Sequence, residues 1–414
     1  MRRWIIAILL IVALAALAFF ALAPGMIERG TNQIDGKPLP QVSARAQALH
    51  KTLTIVDLHS DTLLWKRSIL DRAERGHMDL PRLEDGNVAL QVLASTTKSP
   101  KGQNYDANSG DTDNITSLVI AQLQPVRTWN SLLERSLWHA EKLHRAVAAS
   151  EGQLRAVAAP ADVDALLAAR RGKAAPNGTA TTTEERIAEY RATSSRPVGA
   201  MLSIEGLHVL EGKLANLDKL YAAGFRMAGL THFFDNDLAG SMHGLKKGGL
   251  TPLGRQVVET MEAKGMIVDI AHCSAACVAD ILKMARRPVV SSHGGVQATC
   301  KVNRNLSDEQ IRGLAATGGL IGIGYWDAAV CDTAPASIAK AMKHVRDLVG
   351  IEHVALGSDY DGATTVRFDT SKLVQVTQAL IDAGFSDDEI RAVMGGNAVR
   401  VLKAGLVPLT PPAP

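Results

Sequence analysis

The stretch IVDLHSDTLL, residues 55–64, ends an apolar run with an imidazole, His59, and a carboxylate, Asp61, two positions apart. Residues i and i+2 of a β-strand share a face, so both side chains would enter one space. The same change from apolar run to metal-ligand type recurs at Glu205 (AMLSIEG), His232 (AGLTHFF), His272 (IVDIAHC), His293 (VVSSHGG) and Asp359 (ALGSDYDG). Alone, each has an ordinary reading, since a histidine at a strand end is commonly a hydrogen-bonded structural residue and an acid before glycine commonly shapes a turn. Together, imidazoles and carboxylates without thiolates form a donor set for zinc, with manganese, cobalt or iron compatible by ligand type. Left unpaired and partly desolvated they would be costly, and a divalent cation offsets that cost. A catalytic zinc takes three protein ligands and keeps a position open, so at least three histidines with two carboxylates point to two metals rather than one. A carboxylate shared between them, with a bridging water of lowered pKa, would give a hydroxide nucleophile at neutral pH.

Residues so far apart meet only if the chain brings strand ends to one place. Short β-rich runs begin near Leu53, Val88, Val198, Met227, Met266, Pro288, Leu320 and His353, with helix-compatible segments between most of them. Thr251 can cap a helix with Pro252 in its first turn and Gly265 at its end. Ser307 with Gln310, and Ser386 with Glu389, have capping-box spacing. Eight strands alternating with helices, and no GxGxxG after the first, predict a (β/α)8 TIM-like barrel, in which all strand C-termini share one rim. The second connection is far longer than the rest and reads as a helical insertion, about 96–197. Within it Asn130–Ala149 and Pro160–Arg170 have helical periodicity, and Gly172–Thr183 is expected to be a mobile surface loop.

The chain has 414 residues and is 46% hydrophobic, and 45 Lys plus Arg against 42 Asp plus Glu leave a net charge of +3. That excludes dominant disorder and, without a basic cluster interleaved with aromatics, makes nucleic acid an unsuited partner. Met1, Arg2 and Arg3 precede an almost uncharged run from Trp4 to about Ala23. Its length suits a spanning helix, while Ala21-Leu22-Ala23 also suits signal cleavage. The basic residues ahead of it predict a cytoplasmic N-terminus, which in a bacterium puts the rest in the periplasm, anchored to the inner membrane or released if the segment is cut. The expected division is 1–24 signal-anchor or signal peptide, 25–50 linker, 51–407 barrel and 408–414 tail. Of the four cysteines, Cys273, Cys277, Cys300 and Cys331, none forms a CxxC pair. Buried thiols are the expectation, with a Cys300–Cys331 bridge left open.

VDLHSDT, HMDLPRLEDGNVALQVLAS, SIEG, LTH, DIAHCS, SSHGG, NRN, GSDYDG and VMGGNAVRVL occur in that order between about Thr54 and Leu402. In this they resemble the membrane dipeptidase family, also called renal dipeptidases, zinc peptidases with a barrel fold. The resemblance implies that His59 and Asp61 bind one Zn2+, that His272 and His293 bind a second, and that Glu205 bridges the two. His232 then contacts substrate, hydrogen-bonding the carbonyl oxygen as it becomes negative. Asp359 accepts the water proton and passes it to the departing amine. Arg304, in KVNRN, is similar to the family arginine that holds the substrate's terminal carboxylate. His77, His208 and His243 are expected not to be ligands, and Asp361 and Asn236 are read as supports of the ligands. Tyr325 is left without a role.

The expected function is hydrolysis of dipeptides, including those with a C-terminal D-residue. Two alternatives stand beside it: an amidohydrolase acting on N-acyl amino acids, N-acyl-D-amino acids included, and a barrel that binds ligands without catalysis. Expected partners are dipeptides and, through the N-terminal segment, the membrane; a homodimer is left open. The chain ends VPLTPPAP, without the apolar tail that a C-terminal lipid anchor replaces, so attachment is expected at the N-terminus.

Overall fold

The structure is a computed structural model and describes residues 2–171 and 196–409. The expected mobile loop at 172–183 lies outside these residues, as does most of the 408–414 tail.

Eight parallel strands carry the fold: β1 Ile55–Asp57, β2 Val88–Thr96, β3 Val198–Glu205, β4 Phe225–Gly229, β5 Ile267–Asp269, β6 Val290–Ser291, β7 Leu320–Ile323 and β8 Val354–Leu356. They pair in the order β2-β1-β8-β7-β6-β5-β4-β3, and β3 returns to β2 in register from Leu90 against Gly199 to Thr96 against Glu205. The sheet is therefore a closed barrel. All nine residues of β2 and all eight of β3 are buried, because helices cover the outside and side chains fill the inside. That is why these runs are mostly apolar rather than alternating.

The inner filling draws on every strand, with Val56, Leu90, Met201, Met227, Ile267, Val290, Leu320 and Ala355 in one cluster. Ile267, Val290 and Leu320 are the first residues of their strands, and the cluster continues into Val401, Leu402 and Leu406 of the last helix, Asn397–Gly405. Apolar packing thus occupies the N-terminal end of the barrel and leaves the C-terminal rim to polar groups.

Local signals set the helix ends as expected. Thr251 caps helix Pro252–Lys264 by accepting from Gly254 N, and Gly265 ends it in the left-handed region. Both capping boxes form, at Ser307 with Gln310 and at Ser386 with Glu389. In the insertion, helices Leu132–Ala149 and Pro160–Arg171 match the periodicity. A short strand, Leu154–Ala156, also pairs with the start of β3 outside the barrel, an element without a sequence signal of its own.

Within residues 25–50, expected as a linker, Glu28, Asn32, Ala46, Leu49 and His50 are buried. The apolar run belongs to a helix, Arg2–Thr31, long enough to cross a membrane. Its end carries Glu28, 1% exposed, whose carboxylate accepts from Arg67 Nε at 2.6 Å and from Arg75 Nε at 2.7 Å. Gln33–Ile34 then pairs with Thr365–Val366, and helix Ala44–His50 follows. Cys300 and Cys331 are joined in a disulfide, whereas Cys273 and Cys277 are buried thiols. The expectation of thiols throughout therefore holds for only one pair, because the loop after β6 and the one after β7 meet on the rim.

Candidate metal centre and active site

The site begins with two buried aspartates that close strand ends. Asp57, last in β1, accepts from His59 N at 3.0 Å and from Ser358 N at 3.2 Å. Asp269, last in β5, accepts from Ala271 N at 2.9 Å and Ser292 N at 3.0 Å. Each carboxylate ties its own rim loop to that of a neighbouring strand, and burial pushes both carboxyls above the usual range. The repeated IVD in IVDLH and IVDIAH is the sequence trace of this clamp. β1 stops two residues short of His59, so His59 and Asp61 converge through a braced loop rather than as strand neighbours. His272 and Asp359 both sit at positive φ, 64° and 59°, a backbone choice costing ~1–3 kcal/mol in non-glycine residues and concentrated at functional sites.

These loops turn the expected ligands onto Glu205, the last residue of β3. Its Oε1 lies 3.0 Å from His272 Nε2, 3.3 Å from His293 Nε2 and 3.6 Å from His59 Nε2. Oε2 lies 3.5 Å from His232 Nε2. Asp61 Oδ2 is 3.4 Å and Asp359 Oδ1 3.9 Å from His59 Nε2. Thr96, at the end of β2, sets one hydroxyl against both Asp61 Oδ1 and Glu205 Oε2, the latter at 2.6 Å. It has one proton to donate to two acceptors. Ser292 Oγ meets His293 Nδ1 at 2.9 Å, which orients that ring with Nε2 toward the acids.

Electrostatics follow from this crowding. Burial opposes charge on His59, but Asp61, Glu205 and Asp359 outweigh it and raise its pKa to about 10. Burial holds His272 and His293 well below the usual histidine value, neutral and able to act as ligands. Burial would raise Glu205, yet the facing His232 and His59, with hydrogen bonds from His272 and His293, hold it well below the carboxylate range. Asp359 goes the other way: burial, opposed by His59 and reinforced by Asp61 and Glu205, pushes it well above.

The donor set fits divalent cations. His59 Nε2 is buried, aimed at three carboxylates and without a hydrogen-bond partner. His272 Nε2 and His293 Nε2 face each other at 3.0 Å, a close approach that two lone pairs tolerate only with a proton or a cation between them. Three overlapping trios have ligand atoms within 4.8 Å of one another: His59, Asp61 and Glu205; Glu205, His232 and His272; His59, His293 and Asp359. The first is the expected grouping. The other two bring His232 and Asp359 within ligand range as well.

A cavity of about 490 Å3 opens over these residues and takes in Arg304, Tyr105, Phe233 and Trp326. Arg304 is 2% exposed and donates from Nη2 to His293 O at 2.9 Å, with its guanidinium 5.6 Å from the Trp326 ring centre. Leu64, Trp65, Ile115 and Leu118 form an apolar wall. Thr96, Tyr105 and Trp326 escaped the sequence reading. The hydroxyl of Thr96 has no signature, and Tyr105 reaches the site only because the insertion folds back, its hydroxyl accepting from Trp326 Nε1 at 3.2 Å. Tyr325 instead faces the core against Tyr360 and Phe368.

His77 bonds Gln33 O and Asp361 N, His208 bonds Thr97, and His243 stacks on Phe233 at 4.6 Å and bonds Tyr105 O. All three have protein partners away from the acids. Asp361 accepts from His77 N and Thr62 and pairs with Arg67, so it braces the loop that carries Asp359. Asn236 shapes its own loop through Leu230 O and Leu238 N.

A closed parallel barrel with imidazoles and carboxylates gathered at its C-terminal rim is the architecture of metal-dependent hydrolases of this fold. The chain belongs to the membrane dipeptidase family, peptidase family M19, whose family model matches residues 177–406. It is 35% identical over 215 residues to a dipeptidase, aclJ, of Aspergillus oryzae, and 32% identical over 232 residues to a dipeptidase, verJ, of Clonostachys rogersoniana. Those stretches cover 50% and 54% of this chain but only 51% and 59% of the relatives. Among solved structures, the probable dipeptidase PvdM from Pseudomonas aeruginosa aligns with a TM-score of 0.68 at 21% identity, over 87% of this chain and 98% of its own. A metallo peptidase from Rhodobacter sphaeroides, liganded with a phosphinate mimic of the dipeptide L-Ala-D-Ala, aligns with a TM-score of 0.63 at 20% identity, over 86% and 99%. At these identities the structures establish the shared fold.

Proposed function

We propose that the protein is a dinuclear zinc dipeptidase, anchored by its N-terminal helix with the barrel in the periplasm. The observation that carries this reading is the convergence of three histidine Nε2 atoms on one oxygen of Glu205, with Asp61 beside His59. Glu205 is suited to bridge, His59 and Asp61 to hold one cation, and His272 and His293 to hold the other. When bound, the cations supply Lewis acidity and an activated water.

The chain's own residues do the rest. Asp359 takes the proton released by the attacking water onto a carboxylate oxygen and delivers it to the departing amine nitrogen as the C–N bond breaks. His232 Nε2 donates to the carbonyl oxygen as negative charge develops there. Arg304 receives the terminal carboxylate on its planar fork, which limits the substrate to two residues, since a longer peptide would carry its carboxylate past the clamp. Dipeptides with a C-terminal D-residue fall within the reading, consistent with the L-Ala-D-Ala mimic bound by the Rhodobacter relative.

The apolar wall of Leu64, Trp65, Ile115 and Leu118 favours a second reading, hydrolysis of N-acyl amino acids. Purified full-length protein assayed against Ala-Ala, Ala-D-Ala and N-acyl amino acids, with its metal counted, separates these. Dipeptide turnover with about two zinc ions per chain, lost on chelation and restored by zinc, is the expected result. Turnover of acylated acids alone overturns the dipeptidase reading. Metal-free protein that binds dipeptides without cleaving them overturns the enzyme.

A further inference from the structure

A second cavity, about 410 Å3, lies between the 62–70 segment, the turn at 122–124 and helix Leu132–Ala149. Lys66, Arg67, Lys142 and Arg145 line it, and among the described residues no carboxylate does. Lys142 Nζ donates to the carbonyl oxygens of Leu63 at 2.6 Å and Trp65 at 2.5 Å, with no carboxylate partner among the described residues. Burial, reinforced by Arg67 and Arg145 and opposed by Glu28, pulls its pKa down to about 7. Arg67 spends Nε on Glu28 and Nη2 on Asp361, and its buried Nη1 has no partner. Arg145 stacks on Trp138 at 4.3 Å and reaches Glu141 only at 3.7 Å. Glu28 and Asp361 offset Arg67, whereas Lys66 and Lys142 have no carboxylate within ion-pair distance among the described residues, so the cavity keeps basic groups that an added anion would pair.

Two further observations say which anion reaches it. Lys66 Nζ donates to Phe20 O at 3.4 Å, so the cavity abuts the apolar helix near the end of its membrane-compatible run. Leu123, which lines the cavity, is 60% exposed, and Val126, three residues further on, is 71% exposed. Basic side chains above exposed apolar ones, beside a spanning helix, make a surface suited to a bilayer interface. We propose that this cavity binds the phosphate-bearing headgroup of an anionic phospholipid, holding the barrel in a set orientation on the membrane.

The proposal rests on the anchored reading, and its test keeps the two apart. Full-length protein is checked by intact mass and placed in nanodiscs of phosphatidylcholine alone or with phosphatidylglycerol. Thermal midpoints are then recorded, and co-purifying lipid is counted by native mass spectrometry. Phosphatidylglycerol is expected to raise the midpoint and to remain bound. Lys142→Met, and separately the surface pair Lys66→Gln with Arg145→Gln, should weaken that preference about fivefold per charge removed. Equal midpoints in both discs with the helix intact overturn the headgroup site alone, as does unchanged preference in both variants. If soluble glycerol phosphate in detergent reproduces the whole shift, the ligand is a free anion and the lipid assignment fails. A chain that begins after Ala23 overturns the anchored reading and the proposal with it.

Discussion

The residues around Glu205 are held by the rim loops of several strands, so single changes are expected to separate metal binding from catalysis. Glu205→Gln removes the charge that three imidazoles face, and is expected to lower both metal content and turnover. Asp359→Asn should keep the metal and cost ~10²–10⁴ in turnover, the usual contribution of a positioned acid–base group. Metal analysis beside kinetics checks the pair, and equal metal loss in both would show that the roles are misassigned. Gly362 offers a subtler test. A Cβ there would overlap Asp359 Oδ1 and lie 2.8 Å from Asp61 Oδ2. Gly362→Ala is therefore expected to displace both acids and depress turnover, while destabilising the fold by only about 1–3 kcal/mol, as overpacking does.

At the scale of elements, long-range ties lock helices and loops onto the barrel. His50 ends helix Ala44–His50 and bonds Thr377 at 2.8 Å and Gly86 O at 3.1 Å. Burial lowers its pKa to about 4, whereas an unfolded histidine titrates near 6.5. Between those values the unfolded chain binds the extra proton, so stability rises with pH across the window and is lost as pH falls from about 6.5 to about 4. The full effect is about 3 kcal/mol, and denaturation midpoints of wild type and His50→Gln across this range should show the variant with a flatter acid limb. The Cys300–Cys331 disulfide spans 31 positions. Cys300→Ser with Cys331→Ser is expected to cost ~3–4 kcal/mol from restored unfolded-chain freedom, measurable by thermal melts with and without reductant.

For the whole molecule, the N-terminal region belongs to the folded unit. Glu28 reaches Arg67, and Arg67 reaches Asp361, so a buried ionic chain runs from the end of the apolar helix to the loop that carries Asp359. Glu28→Ala leaves Arg67 partly uncompensated in the interior, a change that costs about 3–5 kcal/mol when a buried pair is broken. Reduced thermal stability together with slower turnover is the expected outcome. Stability lost with turnover untouched would show that the chain supports the fold and not the site.

The sequence by itself determined the strands, the caps and the candidate ligand types. β2 and β3 are buried on both faces, and that requirement is written as mostly apolar runs, the second ending in Glu205; Thr251 with Gly265 and the two capping boxes are local chemistry, readable within a few residues. Family motifs in order added the expected pairing of candidate ligands. What closure of the barrel decided was proximity. Thr96 lies against Asp61 and Glu205, and Tyr105 against Trp326, only because elements distant in the chain become neighbours. Cys300 meets Cys331 by the same route, and Glu28 buries itself in a stretch that reads as a linker. None of these contacts leaves a periodic or compositional trace, since a contact between distant segments depends on strand register and loop path, which are properties of the closed sheet rather than of any local run.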